Sequence, residues 1–335
     1  MGDDVQWKKA EKPQIIQNVL GHPQLRPLID DWERREPDSR IRSSLNDKLA
    51  RLSPDRPFWV AALLFDLYQN PETLPSYCKT VADQRSEEEA SNEIFQEALP
   101  HYFRLQKVST VSNTPKVEKQ ANLAIRMIAS LLSDVQLVSV YLALRMHKLE
   151  WPEPLDDEEK QQSAWINLYV DAPLASRIGI FWIKSELEDR AFQILQPEQY
   201  ADLKLLVARK RDHRRMLVDK TLQEIQKMLQ EAGLKYQVQG RYKRFYSIFE
   251  KLKRVDDDFE KIHDLTGFRV LVEHVRDCFT ALSYIHERWI PIDDRYKDYI
   301  SQPKPNGYQS LHTTVLNDEG EPLEIQIRTQ EMHRV

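Results

Sequence analysis

Glycine is distributed so unevenly along this 335-residue chain that it divides the sequence into two parts. Only Gly2 and Gly21 precede residue 170, and six glycines follow it. Glycine supplies the positive φ angles that tight turns between strands need. The first part therefore predicts a helical body, and the second an α/β or α+β domain. A chain of this length is expected to form more than one domain.

Helix-breaking residues indicate where the domains meet. We expect a helical domain over residues 1–150, a connecting helical segment over 151–196, where the sequence WPEPLDDEE supplies the breakers, and a second domain over 197–335. The run from Pro197 to Ala232 predicts one long helix, with proline in its first turn and Gly233 just past its end. Apolar periodicity predicts further helices near residues 57–69, 118–149 and 175–194.

Beyond Gly233 the hydrophobic pattern changes from helical to mixed. Alternating or continuous apolar runs predict strands in LKYQVQ, TGFRVLVE, LHTTVLND and PLEIQIRT. Helical periodicity predicts helices in RYKRFYSIFEKLKR and RDCFTALSYIHERW.

Charge and cysteine content limit the classes of function. The formal net charge of −5 argues against binding of nucleic acid over the whole surface. The segment from Arg241 to Arg254, however, contains six cationic residues and Glu250 as its single acidic residue, which indicates a local anion site. No run of about 18 apolar residues predicts a membrane span, and the first residues lack the pattern of a signal peptide. Cys78 and Cys278 are interpreted as free buried thiols of a cytoplasmic protein.

One predicted strand carries three polar side chains on a single face. In PLEIQIRT, Glu324, Gln326 and Arg328 alternate with apolar residues. Taken alone, this pattern favours the solvated face of an edge strand. Asp264, however, precedes another predicted strand that carries Arg269. Two carboxylates at the edges of neighbouring strands, beside cations, would suit metal-assisted phosphate chemistry.

The turn PKPNGYQSLHT combines stiffness with chemistry. Its two prolines restrict the backbone and Asn306-Gly307 permits positive φ, so Tyr308 can be presented to a ligand. A presented ring can stack on a base, which is worth about 1–3 kcal/mol. The alternative is a structural loop whose tyrosine covers a core edge. Cationic or proton-carrying side chains near the ring could meet phosphate or ribose oxygens: Lys297, Lys304 and His312.

The motifs GRYKRFYSIFEKL, DLTGFRVLV, RYKDYISQPKPNGYQSLHTTV and EIQIRT, in this order, resemble the synthetase domain of RelA/SpoT-homologue alarmone enzymes. The upstream segment DAPLASRIGIFWIKSELEDRAFQILQPEQY resembles the family's connection between hydrolase and synthetase domains. The resemblance implies a nucleotidyltransferase-like fold of the polymerase-β type with a mixed sheet. It also implies the family's reaction in the stringent response: Mg²⁺-dependent transfer of pyrophosphate from ATP to the 3′-hydroxyl of GDP or GTP, with release of AMP and formation of (p)ppGpp.

The same resemblance implies roles for individual residues. Asp264 matches the Mg²⁺-binding aspartate, and Glu324 matches the catalytic glutamate near the attacking hydroxyl, as base or second metal contact. ATP-binding positions are matched by Arg241, Lys243, Ser247, Lys251 and Arg269. Positions around GDP or GTP are matched by Arg295, Lys297, Lys304, Asn306, Tyr308 and His312, with Tyr308 as the ring that stacks on guanine.

The first half resembles the family's HD-type hydrolase domain, in degenerate form. The segment AALLFDLYQN matches a pattern Ala-Ala-Leu-Leu-His-Asp-x-x-Glu-Asp, and YLALRMHKLE matches a stretch that carries Asp and Asn. Only Asp66 is kept, while the other matched positions hold Phe65, Gln69, Asn70, Leu144 and Lys148. Phenylalanine and leucine have no lone pair for Mn²⁺, so we expect no Mn²⁺-dependent hydrolysis. The domain is expected to fold and to act as a scaffold that biases the synthetase.

Other readings stay open beside this one. The chain could be a nucleotidyltransferase that adds a nucleotide, a catalytically silent guanine-nucleotide sensor, or an RNA-binding module that uses the cations of Arg241–Arg254. Two departures, Arg244 at a common histidine position and the basic motif RYKD, leave the metal preference and the choice between GDP and GTP open. Contact with ribosomes or tRNA is expected only through a C-terminal regulatory region that this sequence lacks.

Overall fold

The computed structural model of the chain describes residues 21–36, 38–75, 78, 93–112, 118–150, 156–255 and 266–334. The chain divides into two compact units, here called the helical unit, which ends at Ile194, and the sheet unit, which begins at Leu195. The three segment boundaries drawn from the sequence stay a prediction.

The helical unit consists of helices throughout its described residues. They are α1 (Arg26–Arg35), α2 (Ser39–Leu52), α3 (Arg56–Leu67), α4 (Glu93–Ser112), α5 (Glu118–Leu132), α6 (Val135–Glu150), α7 (Asp157–Ile166), α8 (Ala172–Arg177) and α9 (Phe181–Leu195). Local signals start several of them: Asp38 accepts a hydrogen bond from Arg40 N at 2.8 Å, and Asp156 and Glu159 form a capping box. A π-helical turn, Asn167–Asp171, joins α7 to α8.

Two of the predicted helices are each interrupted once. The stretch 118–149 forms α5 and α6, because Ser133 adopts a left-handed conformation with φ of 46°. The stretch 175–194 spans α8 and α9, which are separated at Gly179 with φ of 85°. A residue with positive φ ends a helix, and Asp134 then caps the next one by accepting from Gln136 N at 2.7 Å.

The core of the helical unit is built around large buried rings. Trp59, Phe95 and Tyr102 are at most 1% exposed. The hydroxyl of Tyr102 donates to the carbonyl oxygen of Tyr68 at 2.8 Å, so the ring is buried without an unpaired polar atom. The predicted helical body with a real core is confirmed.

The sheet unit alternates helices with strands. Its elements are α10 (Pro197–Glu231), β1 (Tyr236–Tyr242), α11 (Phe245–Leu252), β2 (Thr266–Val272), α12 (Val275–Arg288), β3 (Ile290–Pro291), β4 (Lys297–Asp298), β5 (Leu311–Leu316), β6 (Pro322–Thr329) and α13 (Gln330–Arg334). The long helix α10 and its end before Gly233, where φ is 66°, confirm that prediction. The prediction that RYKRFY begins a helix was wrong for its first four residues, because β1 continues to Tyr242 and α11 starts at Phe245.

The six strands form one mixed sheet. Their order is β1-β2-β6-β5-β3, and the short β4 also pairs with β5. The pairs β1/β2, β5/β6, β3/β5 and β4/β5 are antiparallel, while β2 and β6 are parallel. The mixed sheet is as expected, and the two-residue strands β3 and β4 were not predicted.

One face of this sheet is covered by α10 and α12. Ile225 of α10 and Ile285 of α12 belong to the same buried cluster as Val270 and Ile327 of the central strands, and all four are fully buried. Because side chains alternate along a strand, Arg269 of β2, His312 of β5, and Glu324 and Gln326 of β6 are left on the opposite face. The fold thereby separates a dry face from a polar one.

Both cysteines are buried free thiols, as predicted. Burial raises the pKa of Cys78 and of Cys278 to about 12, so neither is a reactive thiolate at neutral pH.

No helix in the described part of the chain combines the length and the apolar character needed to cross a membrane.

Candidate functional site

The register of the central strands gathers polar side chains on the face that α10 and α12 leave uncovered. Glu324 and Gln326 of β6 lie opposite Gly267 and Arg269 of β2. On the other side of β6, Gln326 lies opposite His312 of β5. Residues that are directly opposite point to the same face. The hairpin of β5 and β6 and the distant strand β2 therefore build one polar surface.

Glu324 is the acidic centre of this surface. Lys243, just after β1, brings Nζ to 2.8 Å from Glu324 Oε2. The amide of Gln326 donates to Glu324 Oε1 at 3.3 Å. The side chains of Glu324 and Lys243 are 23% and 22% exposed, so the ion pair is accessible to a ligand. The hydrogen bonds from Lys243 and Gln326 thus orient both carboxylate oxygens of Glu324.

Two guanidinium groups lie deep in the same surface. Arg269 is 5% exposed and Arg328 is 8% exposed. A buried cation keeps more of its field than an exposed one, because water and salt screen it less. The surface around Glu324 therefore attracts anions although the whole chain is acidic.

The turn before β5 is shaped as the sequence indicated. Gly307 has a φ of 77° and its N–H donates to Lys304 O at 2.8 Å. Asn306 Oδ1 accepts from Tyr308 N at 3.3 Å, and Lys304 N donates to Tyr308 O at 3.1 Å. These bonds hold the turn closed on both sides of the positive-φ glycine. Tyr308 is thereby set in one orientation and remains half-buried.

Three rings, Tyr299, Tyr308 and His312, form what we call the aromatic cluster. Tyr308 Oη and His312 Nε2 are 2.7 Å apart. The ring of Tyr299 meets that of Tyr308 with centroids 6.1 Å apart at 66°, and that of His312 at 5.3 Å and 90°. Lys304 Nζ lies 5.2 Å from the Tyr308 centroid and Arg328 Cζ lies 5.7 Å from it. The cluster presents π surface and cations together.

His312 is neutral at physiological pH. Burial lowers its pKa to about 4; the carboxylate of Glu324 opposes this effect, and the cations Lys304 and Arg328 add to it. An uncharged imidazole keeps hydrogen-bonding capacity for Tyr308 or a ligand without repelling the nearby cations.

Comparisons with known proteins give matches in both parts of the chain. Residues 240–335 match the family model "Region found in RelA / SpoT proteins", and residues 39–181 match an HD domain. The chain is 37% identical over 260 residues to a GTP pyrophosphokinase of Myxococcus xanthus, which covers 76% of this chain and 34% of that protein. It is 32% identical over 327 residues to the bifunctional (p)ppGpp synthase/hydrolase SpoT of Escherichia coli, covering 96% and 46%. This chain belongs to the RelA/SpoT homologues.

The chain spans only part of the length of such relatives, between 25% and 46% of those it matches in Myxococcus, Streptomyces coelicolor and Escherichia coli. Among solved structures, part of the chain is matched to the small alarmone synthetase 1 of Bacillus subtilis bound to its product pppGpp. That match has 26% identity and a TM-score of 0.32, and covers 38% of this chain and 74% of that one. The family assignment rests on the sequence matches alone.

The remaining predicted site residues of this RelA/SpoT homologue lie in several elements or outside the described part of the chain. Asp264 lies outside the described residues, as does the side chain of Arg241, whose backbone pairs with Gly267. Ser247 lies in the first turn of α11 and Lys251 in its last turn, both half-buried. Lys297 is exposed in β4 opposite His312, and Arg295 is exposed in the preceding turn.

Sequence reasoning missed one ring and undervalued one amide. Tyr299 was given no role, because its contacts with Tyr308 and His312 arise only when β4 pairs with β5. Gln326 was noted on the polar face, but its hydrogen bond to Glu324 was not foreseen. The alternation of β6 was a signal for Gln326, whereas nothing in the local pattern singled out Tyr299.

The predicted degenerate hydrolase positions lie in the helical unit of this homologue. Phe65 and Leu144 are 5% and 2% exposed and belong to its core. Gln69 donates to Phe65 O at 2.7 Å, and Asn70 Oδ1 caps a short helical turn by accepting from Glu72 N at 2.9 Å. Lys148 Nζ lies 5.8 Å from the centroid of Phe65. Asp66, on α3, is half-buried.

A separate polar network near these positions is satisfied by protein groups. Lys48 of α2 is ion-paired with Glu150 of α6, and Glu150 also accepts from Ser44 Oγ at 2.7 Å. His147 lies 3.4 Å from Ser44 Oγ, and burial lowers its pKa to about 4. The network joins α2 to α6 without a ligand.

Proposed function

We propose that the sheet unit transfers pyrophosphate from ATP to the 3′-hydroxyl of GDP or GTP, releasing AMP and forming (p)ppGpp. The carrying observation is the strand register that sets Glu324, held by Lys243, on the same sheet face as His312 of the aromatic cluster. A carboxylate for the reacting hydroxyl and a ring for a base are thereby on one surface. Relatives named GTP pyrophosphokinase support the same reaction.

The acceptor nucleotide would bind at the aromatic cluster. Guanine would stack on Tyr308, a contact worth about 1–3 kcal/mol. Lys304, whose Nζ lies 5.2 Å from that ring centroid, and the exposed Lys297 would meet the phosphates. Arg295 and Asn306 would complete the surroundings, and neutral His312 would hold Tyr308 in place.

The donor nucleotide would bind beside α11 and the buried guanidinium of Arg269. Cations from the end of β1, from the residues before α11 and from its last turn would neutralise the phosphates of ATP, a role we assign to Arg241, Lys243 and Lys251, with Ser247 as a hydroxyl donor. Lys243 is the link, because it already contacts Glu324 at 2.8 Å. Phosphate arriving at Lys243 would share that cation and leave Glu324 accessible to the acceptor.

In the reaction, the 3′-oxygen of the guanosine nucleotide forms a bond to the β-phosphorus of ATP. The bond between the β-phosphorus and the oxygen of the α-phosphate breaks, and AMP leaves with that oxygen. The proton of the 3′-hydroxyl passes to Glu324. Such transfers depend mainly on placement and charge neutralisation, and orientation alone can lower a barrier by about 7–11 kcal/mol.

The residues of this surface suit Mg²⁺ that is shared with a nucleotide. Among the described residues, no three acidic, histidine or cysteine side chains form a metal cage. Mg²⁺ is commonly held by one or two carboxylates together with substrate phosphates. Glu324 and Asp264 would be those carboxylates. When bound, the ion would supply neutralisation of the phosphate charge.

We infer that the helical unit does not hydrolyse (p)ppGpp. The reason is that Phe65 and Leu144 are packed in the core at positions where the matched pattern has metal ligands. Neither side chain has a lone pair to donate. Mn²⁺ would therefore give no release of pyrophosphate from (p)ppGpp.

The test is to incubate the chain with ATP, Mg²⁺ and either GDP or GTP and to separate the nucleotides. We expect AMP together with an equal amount of guanosine tetra- or pentaphosphate. Release of pyrophosphate would indicate a nucleotidyltransferase that adds a nucleotide instead. Binding of GDP without any AMP would indicate a silent sensor, and salt-sensitive RNA binding without AMP would indicate an RNA-binding module.

A further inference from the structure

Tyr299 is the member of the aromatic cluster that neither the residue patterns nor the reaction above uses. We propose that it is a positioning residue for the acceptor nucleotide: its ring fixes the plane of Tyr308 and holds the ammonium group of Lys304 where the nucleotide phosphates would arrive. This inference deepens the proposed function and rests on it. The support comes from the backbone of the turn, the ring geometry and the position of the lysine.

The backbone around Tyr299 is held from several directions. Asp298 Oδ1 accepts from the N–H groups of Ile300 and Ser301 at 2.9 and 2.8 Å, and its Oδ2 accepts from Ser301 Oγ at 2.7 Å. Tyr299 N donates to Ser310 O at 3.0 Å, which ties the residue to the strand side of the turn. These bonds fix the backbone position from which the ring of Tyr299 projects.

The ring of Tyr299 meets two site rings by their edges. Its centroid is 6.1 Å from that of Tyr308 at 66°, and 5.3 Å from that of His312 at 90°. Tyr308 and His312 themselves meet at 5.7 Å and 83°. Edge-to-face pairs have a preferred geometry because a positive ring edge meets a negative ring face. Three mutual contacts of this kind define the tilt of the Tyr308 ring.

Lys304 is shared between two ring faces. Its Nζ lies 4.5 Å from the Tyr299 centroid and 5.2 Å from the Tyr308 centroid. The shorter distance is to Tyr299, so this ring is the main π partner of the ammonium group. Without it, the flexible lysine would sample many rotamers and would lose entropy again when a nucleotide bound.

The test compares Tyr299→Leu with Tyr299→Phe in the full chain. We expect Tyr299→Leu to raise the KM for GDP and GTP about tenfold, because the ring contacts are lost, and to leave the KM for ATP unchanged. Tyr299→Phe keeps the ring and should restore the wild-type KM. Tyr296→Leu is the matched control, because Tyr296 is exposed and its ring meets His286 instead of the aromatic cluster. It should leave the KM for both substrates unchanged.

A double-mutant cycle with Lys304→Met tests whether Tyr299 acts through the lysine. We expect the combined rise in acceptor KM to be smaller than the product of the two single effects. Multiplicative effects, or an equal rise in the KM for ATP, would overturn the inference. Calorimetric titration with GDP measures the acceptor affinity of the same variants without turnover. A wild-type chain that binds GDP but releases no AMP would overturn the proposed function, whereas unchanged GDP affinity in Tyr299→Leu would overturn this inference only.

Discussion

The helical unit contains an enclosed ion pair, and the sheet unit contains an accessible one. Arg145 and Asp171 form an ion pair at 2.8 Å with side chains that are 14% and 0% exposed, and Tyr141 donates a further hydrogen bond to Asp171. Lys243 and Glu324 form a pair of equal length that is 22% and 23% exposed. The length of an ion pair therefore says little about its use.

The difference in exposure decides which pair can exchange a partner for a ligand. Separating a buried pair leaves a charge without water or counter-charge, which costs several kcal/mol. A partly exposed pair can give one partner to an arriving phosphate, because water and the ligand replace the lost contact. A pair of a cation and a carboxylate thus stabilises the fold in one unit and remains available to a ligand in the other.

The largest expected effect follows from removing the accessible carboxylate. Glu324→Gln keeps the shape of the side chain and removes its charge, so we expect release of AMP to fall about 10²–10⁴-fold. ATP binding should stay close to that of the wild type, since other cations hold the phosphates. The measurement is the initial rate of AMP formation together with an ATP titration.

Glu319→Gln is the matched control on the same β5–β6 hairpin. Glu319 is ion-paired with Lys220 at 2.8 Å and is about half exposed, and it should be replaceable without change in the rate of AMP formation. Full activity in Glu324→Gln would show that the accessible ion pair of the sheet unit has no part in the chemistry.

The next effect concerns a position where the matched hydrolase pattern has an acid. Leu144→Asp restores a carboxylate in a side chain that is 2% exposed. We expect a loss of about 3–5 kcal/mol in the free energy of unfolding of the helical unit, because the new charge is buried without a partner. Chemical denaturation with and without Mn²⁺ measures it, and Leu144→Met should cost less than about 1.5 kcal/mol. Recovery of stability on adding Mn²⁺ would show that this position can take part in a metal site once it carries a carboxylate.

A smaller effect is expected from the stacking ring. Tyr308→Ala should weaken the binding of GDP and GTP by about 1–3 kcal/mol, which corresponds to a rise in KM of roughly 5–150-fold. The KM for ATP should stay unchanged. Steady-state kinetics with each substrate varied in turn provides the measurement. Unchanged saturation by GDP would mean that the ring serves the fold, as the enclosed groups of the helical unit do.

The smallest effect concerns pH and applies to both units. Burial lowers the pKa of His147 and of His312 to about 4, below the ordinary value of 6.5. Between these values the unfolded chain binds more protons than the folded one, so stability falls as the pH falls. We expect a loss of about 1–2 kcal/mol for each histidine between roughly pH 7 and pH 5.

Urea unfolding at both pH values measures this loss. Around His147, the ionisable neighbours are Lys48, Lys148 and Glu150. His147→Gln should reduce the pH dependence of the helical unit, to which the lowered pKa of half-buried His101 also contributes, and leave that of the sheet unit. An unchanged dependence in the helical unit would show that His147 is not the group that titrates.

Much of the local structure was predictable, and the exceptions have local causes. The helix from Pro197 and the strands around Val270 and Ile325 follow from caps and from alternation. The breaks at Ser133 and Gly179 were missed because apolar periodicity continues across them. The short strand at Lys297–Asp298 was missed because two residues carry no periodicity.

The candidate site was predictable in its residues but not in its contacts. The motifs indicated Glu324, Lys243 and Tyr308 as separate signals. The contact of Lys243 with Glu324 required β1 and β6, which are distant in the sequence, to join the same sheet. The contact of Tyr299 with Tyr308 required β4 to pair with β5. Nothing in a local pattern specifies such a partner.

The sequence by itself determined the helical and mixed halves, the rigid turn at Gly307 and the residue types available for chemistry. These depend on backbone conformations and side-chain periods that neighbouring residues set. Only the tertiary structure decided that β6 lies between β2 and β5, which brings Arg269, Glu324 and His312 onto one face. The reason is that strand order is selected by burial of the whole apolar face, which is a property of all the strands together.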